Sequence, residues 1–114
     1  MAYLKNFSGQ ILLKIENDDI KEFSGMIKYR IRENKVTDFS GRTLFIIEQN
    51  YIKDFYGRIL LNVSGNQIKE FSGRIIATFD NSYFREFGGM IQYKIEGFLS
   101  RRELMALIAI IYAV

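Results

Sequence analysis

The sequence predicts a mainly β protein, in which six 16-residue β-hairpin repeats form a closed antiparallel barrel of about 12 strands or a radial flower, with a buried apolar C-terminal helix. Three observations support this fold class: a phrase that recurs every 16 residues, an alternation of apolar and polar side chains, and an uncharged C-terminal segment. The 114 residues suffice for one domain with its own core. We divide this single domain, residues 1–114, into repeats at 1–97 and a helix at 100–114 that is expected to plug the core.

The repeat is the clearest feature of the chain, and "IKEFSGRI" (residues 68–75) is a representative copy. Aligned on their aromatic residue, the copies place phenylalanine at Phe7, Phe23, Phe39, Phe55, Phe71 and Phe87, and glycine two residues later at Gly9, Gly25, Gly41, Gly57, Gly73 and Gly89. Six copies at one spacing indicate a repeat architecture.

Each copy is expected to be a β-hairpin. In "GRIIATF" (residues 73–79), Ile75, Ala77 and Phe79 fall on alternate positions, which is the pattern of a strand with one buried face. The segment "QIKEF" predicts a second, shorter strand, and the Ser-Gly after it predicts a turn whose glycine has a positive φ. Segments rich in Asn, Asp and Gly, such as "ENDD" and "SGNQ", predict the other connections.

The phenylalanine of the repeat leaves two interpretations open. Ile68 and Phe71 are three residues apart, so a regular strand would point them to opposite faces. In the first interpretation Phe71 lies in the turn and folds over the end of the core, while Ile68 pairs with Ile75. In the second, a β-bulge accommodates the extra residue.

The last segment, "SRRELMALIAIIYAV", predicts a buried helix. Ser100 and Glu103 have the spacing of a capping box, which starts the helix at about Arg101. Residues 104–114 carry no charge, and a helix that is apolar all round must be buried. The segment is far shorter than the roughly 20 residues that cross a bilayer, so we interpret it as part of the core.

A 16-residue period also fits one coil of a β-solenoid, but a solenoid needs terminal caps with polar outer faces. Twelve strands about 4.8 Å apart, tilted by about 40°, close into a circle roughly 24 Å across. Inward side chains leave a lumen of about 12 Å, which is the diameter of one helix with its side chains. The apolar C-terminal segment therefore favours a closed barrel filled by its own helix.

The phrase "IKDFYGRIL" (residues 52–60) is similar to the strand–turn–strand phrases of LURP-one-related proteins. Together with the predicted barrel and internal helix, it resembles the Tubby-like architecture that those proteins share with Tubby domains and scramblase-type barrels. The repeats also resemble small β-flower proteins, in which hairpins radiate about an axis. The Tubby-like resemblance implies a peripheral module that binds anionic lipid, and it transfers no functional residue to this sequence.

Charged residues predict a difference between the two ends of the barrel. Residues around the Phe-Ser-Gly turns carry eight bases against five acids, a net charge of +3, and the opposite end carries two bases against seven acids, a net charge of −5. The candidate basic rim consists of Lys5, Lys21, Arg42, Lys53, Arg58, Lys69, Arg74 and Arg85. It would suit anionic lipid, an acidic protein or the acidic end of a second copy. The alternative is that these are solvated turn charges that maintain solubility.

Apolar residues also occur at positions that regular alternation places on the outer wall. They form a candidate interface for a homo-oligomer: Leu12, Leu44, Ile46, Leu60 and Ile76.

Composition narrows the function classes. The chain has no histidine and no cysteine, and we find no nucleophile–base pair, phosphate-binding loop or metal-ligand cluster, so we expect neither an enzyme nor a cofactor. The net charge of +3 is small for a nucleic-acid binder, and no apolar leader opens the sequence, which predicts a cytoplasmic protein. We expect a non-catalytic structural or protein-interaction module that self-associates. The alternative is a peripheral membrane or anionic-lipid-binding module of the Tubby-like kind.

Overall fold

The computed structural model describes residues 1–113, which form twelve strands followed by one helix, α1 (Arg101–Tyr112). The strands are β1 (Ala2–Asn6), β2 (Ile11–Glu16), β3 (Asp19–Lys21), β4 (Ile27–Arg32), β5 (Lys35–Asp38), β6 (Thr43–Glu48), β7 (Tyr51–Asp54), β8 (Ile59–Ser64), β9 (Gln67–Glu70), β10 (Ile75–Phe79), β11 (Tyr83–Glu86) and β12 (Ile91–Gly97). Each strand pairs antiparallel with its neighbours in the chain, and β1 pairs with β12, from Ala2 opposite Gly97 to Asn6 opposite Tyr93. The predicted closed barrel is therefore confirmed, and the open flower is not formed.

Alternate residues of the strands point inward and form one core. The buried apolar residues of the strands are Ala2, Leu4, Ile15, Ile20, Ile31, Val36, Phe45, Ile52, Leu61, Val63, Ile68, Ala77, Phe79, Phe84 and Ile95. Five consecutive helix residues, Met105 to Ala109, are buried in the same cluster. Such a continuous run of buried residues shows that the helix is surrounded by the strands, as expected for a helix that is apolar on all sides.

The helix runs along the barrel from one end to the other. Its start has the predicted capping box, since Ser100 Oγ accepts from the Glu103 backbone N–H at 3.2 Å and the Glu103 carboxylate accepts from the Ser100 N–H at 3.0 Å. At its other end the Tyr112 hydroxyl donates to Gln92 Oε1 at 2.7 Å, at the start of β12. Burial raises the pKa of Tyr112 well above its usual range, so the hydroxyl stays protonated and available as a donor.

The twelve strands are joined by two kinds of turn, one at each end of the barrel. Six turns of the Phe-Ser-Gly type lie at one end, with Tyr56 and Gly88 in place of serine in two of them, and the glycine two residues after each phenylalanine has a φ of 89° to 96°. Four two-residue turns and one three-residue turn (80–82) lie at the other end, and the two-residue turns have left-handed residues at Asn17, Asp18, Glu33, Gln49 and Gly65. Because the strands form a meander, all turns of one kind share one rim.

A β-bulge follows every Phe-Ser-Gly turn. In one repeat Ile75 lies opposite Lys69 and Ala77 lies opposite Ile68, so that Ile76 is the extra residue. The same shift occurs in the other five repeats. The phenylalanine thus lies in the turn and a bulge is also present, but the bulge belongs to the following strand, and the expected pairing of Ile68 with Ile75 is wrong.

The bulge changes which side chains face the core. Ile75 shares the outer face with its partner Lys69, whereas Ile76 is half-buried and packs against the core. Leu44 and Leu60 occupy the same position as Ile76 and are half-buried in the same way. These three side chains therefore have less surface exposed than regular alternation predicts, and the oligomer interface that includes them stays a prediction.

Two members of that candidate interface do remain at the surface. Leu12 is exposed at the bulge of the first repeat. Ile46 is half-exposed on the outer wall, where Lys35 and Lys53 lie opposite it on the two neighbouring strands. Separated from each other by three strands, these two residues are not adjacent on the outer wall.

Gly97 redirects the chain from the wall into the lumen. It ends β12 with a φ of 96°, and a Cβ at this residue would lie only 2.5 Å from the Met1 carbonyl oxygen. The first strand therefore passes so closely that only glycine fits here. This contact closes the barrel at the point where the helix begins.

Candidate functional site

Six phenylalanine side chains project into solvent from one end of the barrel. We call Phe7, Phe23, Phe39, Phe55, Phe71 and Phe87 the phenylalanine rim, and each is 55–77% exposed. The expectation that this residue folds over the end of the core is wrong. Residues Leu44, Leu60 and Ile76, which the bulge turns inward, pack against the core at this end instead.

Hydrogen bonds within each turn hold the phenylalanine in place. The residue before Phe39 is Asp38, and its Oδ1 accepts from the backbone N–H groups of Ser40 and Arg42, both at 3.0 Å, and from the Ser40 hydroxyl at 2.6 Å. In addition, the Gly41 N–H donates to the Asp38 carbonyl at 3.0 Å. The phenylalanine makes none of these bonds, so the turn leaves its side chain at the surface.

Other turns use the same contacts. Asn6 Oδ1 accepts from the N–H groups of Ser8 and Gln10, and Asp54 Oδ1 accepts from those of Tyr56 and Arg58. The Ser40 hydroxyl, with the backbone donors and Arg42 adding to its effect, holds the pKa of Asp38 below its usual range. For Asp54 the N–H of Arg58 is the main cause of a lowered pKa. Both carboxylates are therefore ionised at neutral pH.

The charges of these turns are arranged in two levels. The side chains of Arg42 and Arg58 are 77% and 78% exposed, whereas those of their partners Asp38 and Asp54 are 21% and 17% exposed. Arg74 is exposed to the same degree beside Glu70. In these turns the guanidinium groups are more exposed than the carboxylates that they pair with, and the phenyl rings project into solvent beside them.

Further apolar side chains add to the rim. Tyr56 takes the position of serine in the fourth turn, with its ring centroid 4.0 Å from that of Phe55. Tyr56, Met26 and Met90 are all exposed. Phe55 also borders a surface recess of about 510 Å³ with Arg42, Thr43 and Leu44 of the preceding repeat.

The candidate basic rim does not form as predicted. Four of its members pair with acids near the opposite end of the barrel: Lys5 with Glu96, Lys21 with Glu16, Lys53 with Glu48 and Arg85 with Asp80. Lys69 is half-buried at the equivalent wall position. Only Arg42, Arg58 and Arg74 extend from the phenylalanine rim itself. The predicted charge difference between the ends is reduced accordingly, because wall cations neutralise the acidic end.

The opposite end, which we call the polar rim, is formed by the two-residue turns and the start of α1. Arg102 donates to Asp18 Oδ2 at 3.0 Å and to the Glu33 carbonyl at 2.9 Å, and Arg101 donates to Asn50 Oδ1 at 3.3 Å. These contacts join the helix to three successive turns. The polar rim is thus partly covered by its own chain.

Sequence reasoning identified the repeat phenylalanines but not their exposure. The position of each phenylalanine inside a Phe-Ser-Gly turn was the available signal, because turns lie at protein surfaces. Because phenylalanine is apolar, its residue type favours burial, which is the opposite of what its position in the turn indicates.

Fold and site together define a closed twelve-stranded antiparallel barrel with an internal helix and one exposed aromatic rim. Comparison with protein-family models, curated proteins and solved structures finds no match to this chain. Within residues 1–113, no helix is both long and apolar enough to cross a membrane.

Proposed function

We propose that this barrel is a non-catalytic peripheral module that attaches to an anionic lipid membrane surface through its phenylalanine rim. The observation that supports this most directly is the exposure of all six phenylalanines at one end of the barrel. Soluble monomers rarely expose so much apolar surface in one region unless it contacts a partner or a membrane.

The spacing of the phenylalanines favours a membrane over a protein partner. Successive phenylalanines are two strands apart, a distance of about 12 Å around the rim. A protein would need six pockets arranged in a matching ring. A bilayer interface accepts a side chain at any lateral position, so separate anchors at one level are sufficient.

Three exposed arginines of the rim are available to lipid phosphates. The guanidinium groups of Arg42, Arg58 and Arg74 are more exposed than the carboxylates that they pair with, and because each pair is neutral, the phenyl rings and not a net positive charge carry the attachment. Solvent-exposed ion pairs contribute little to stability, so these arginines lose little by turning toward lipid phosphates. Phenyl rings below the headgroups and cations at headgroup level are the arrangement of interfacial membrane binders.

Several weak anchors on one rigid body act together. Full burial of one phenylalanine side chain contributes about 1.5–3 kcal/mol, and partial insertion contributes less. Once one phenylalanine is inserted, the barrel holds the others at the same level, so their contributions combine as in multivalent binding. A cytoplasmic location is part of the proposal, since the inner leaflet carries the anionic lipids and the chain has no cysteine for disulfide bonds.

Sedimentation with vesicles tests this function. The chain is expected to sediment with phosphatidylcholine vesicles that contain phosphatidylserine. The double variant Phe39→Ser/Phe71→Ser should bind at least about tenfold more weakly, because two anchors are lost. Replacing Arg42, Arg58 and Arg74 by glutamine should weaken binding to the anionic vesicles and leave binding to pure phosphatidylcholine unchanged.

Phe98 supplies a matched control, because it is as exposed as the rim residues but lies on the link between β12 and α1, beside the polar rim. Phe98→Ser should sediment like the wild type. Failure of the wild type to sediment at low salt, or an equal loss in Phe98→Ser, would contradict the proposal. Dimers that dissociate in the rim variants would show instead that the rim binds a second copy.

A further inference from the structure

A second surface feature lies at the polar rim, where the helix does not fill the mouth of the barrel evenly. Arg101 and Arg102 hold the start of α1 against the turns that follow β2, β4 and β6. On the other side, beside the turns that follow β8 and β10, a cavity of about 590 Å³ opens to solvent. Its volume is within the range of small-molecule sites.

Five of the nine residues that line this cavity are apolar. Phe79 and Ile95 form the floor and are almost completely buried, with 8% and 9% of their surface exposed. Leu99 and Leu104 contribute from the link and from the first turn of α1, and Phe98 lies at the edge. Apolar surface left in contact with water costs about 25 cal/mol per Å², so a ligand that covers these side chains is stabilised.

The polar groups at the edge favour a neutral ligand. Asp80 is the one charged residue that lines the cavity, and Arg85 already pairs with its carboxylate at 2.9 Å. The N–H groups of Ser82 and Tyr83 donate to the same carboxylate, and these bonds hold its pKa below the usual range. The exposed Asn66 and Asn81 place amide side chains at the edge, and an amide both donates and accepts hydrogen bonds.

We infer that this cavity is a binding site for a neutral, mainly apolar small molecule with one hydrogen-bonding group. The apolar body would lie between Phe79, Ile95 and Leu104, and the polar group would meet an asparagine amide at the edge. The site is at the opposite end from the phenylalanine rim, so it does not depend on the membrane attachment proposed above.

N-phenyl-1-naphthylamine is a suitable probe, because it is neutral, carries one N–H group and fluoresces in apolar surroundings. Titration into the 114-residue chain is expected to saturate at one probe per chain. In methyl-labelled protein the signals of Ile95, Leu99 and Leu104 should shift. Signals of Ile27 and Ile75, on the outer wall near the phenylalanine rim, should stay in place.

Variants separate this site from the rim. Leu104→Trp fills the cavity and should weaken probe binding at least tenfold, whereas Phe98→Ala at the exposed edge should weaken it a few-fold. Phe71→Ser should leave probe binding unchanged. Binding that does not saturate, or methyl shifts confined to residues near the phenylalanine rim, would overturn the inference. The wild-type methyl shifts decide the question even where Leu104→Trp does not fold.

Discussion

The two ends of the barrel are built from the same six repeats, but they differ in how many of their side chains contact other residues of the chain. At the polar rim, Arg102 bonds to two turns, and wall cations such as Lys53 and Arg85 reach the acids of this end. At the phenylalanine rim, six phenyl rings have most of their surface in solvent. Both ends contain ion pairs and hydrogen bonds, but only the phenylalanine rim carries a ring of six exposed phenyl groups.

This difference indicates which residues stabilise the fold and which residues are available to bind a partner. Buried apolar residues of the lumen and helix stabilise the fold, and their loss should unfold it. The phenylalanine rim should be open to substitution without a change in stability. The four predictions below test that division, in order of decreasing effect.

The largest effect is expected from a charge inside the barrel. Leu107 is fully buried on α1, and Leu107→Asp would place an unpaired carboxylate in the core. We expect a loss of more than about 4 kcal/mol, close to the whole stability of an ordinary domain. Circular dichroism should then show an unfolded chain at room temperature. Arg101→Asp, on the exposed first turn of the same helix, is the control and should remain folded.

A pair of phenylalanines compares the lumen with the rim directly. Phe84 is fully buried on β11 and contacts Tyr112 with ring centroids 6.1 Å apart, whereas Phe71 is exposed in its turn. Phe84→Ala should lower the free energy of unfolding by about 3–5 kcal/mol. Phe71→Ala should change it by less than about 0.5 kcal/mol. Urea denaturation measures both, and a large loss in Phe71→Ala would show that the rim is part of the core.

Two neighbouring glycines test the turn that presents the phenylalanine. Gly89 has a φ of 96°, so Gly89→Ala should cost about 1–3 kcal/mol. Gly88 is not among the residues with a positive φ, and a Cβ there would meet nothing closer than 3.7 Å. Gly88→Ala should therefore be neutral or slightly stabilising. Equal thermal unfolding temperatures for the two variants would contradict the left-handed conformation of Gly89.

The smallest effect is expected at the acceptor inside the turn. Asp38→Ala removes the oxygen that accepts from Ser40 and Arg42 and should lower the Tm by a few degrees, whereas Asp38→Asn keeps that oxygen, as Asn6 does in the first turn. The pKa of Asp38 is lowered in the folded state, so the ionised carboxylate stabilises the fold above its ordinary value of 3.8. That contribution is lost as the pH falls below 3.8 through the folded-state pKa.

The pH dependence can be measured by thermal unfolding of the wild type and Asp38→Asn in parallel. The wild type should lose stability relative to the variant only at acidic pH, because asparagine does not titrate. The pKa of Asp54 is also lowered, mainly by the Arg58 N–H, and its Oδ1 accepts from two backbone N–H groups as that of Asp38 does, so Asp54→Asn should show the same direction of change. A constant difference across the acidic range would contradict the role of the carboxylates.

Much of this fold could be predicted from the sequence, because a strict period and a buried helix leave few arrangements. The capping box at Ser100 and the burial of Met105 to Ala109 follow from local signals. The orientations of Leu44, Leu60 and Ile76 could not be predicted, because a bulge shifts alternation by one residue without a residue type that marks it.

The candidate site was harder to predict than the fold. The charges of Lys5, Lys21 and Lys53 were counted at the phenylalanine rim by sequence position, but a lysine side chain is long enough to reach the other end. In a short barrel, therefore, the Cα position of a lysine does not determine the end of the barrel at which its ammonium group lies. The exposure of the phenylalanines depends on the hydrogen bonds within each turn, such as those that Asp38 accepts, and not on the pattern of apolar residues along the strands.

The fit between the helix and the lumen also determines how many hairpins the chain needs. A ring with one hairpin fewer would lose about a sixth of its circumference, and an opening narrowed by about 4 Å would no longer admit a helix with its side chains. One hairpin more would leave a gap beside the helix that water or a second element would have to occupy. Six hairpins therefore form a lumen whose width matches the diameter of the helix that fills it.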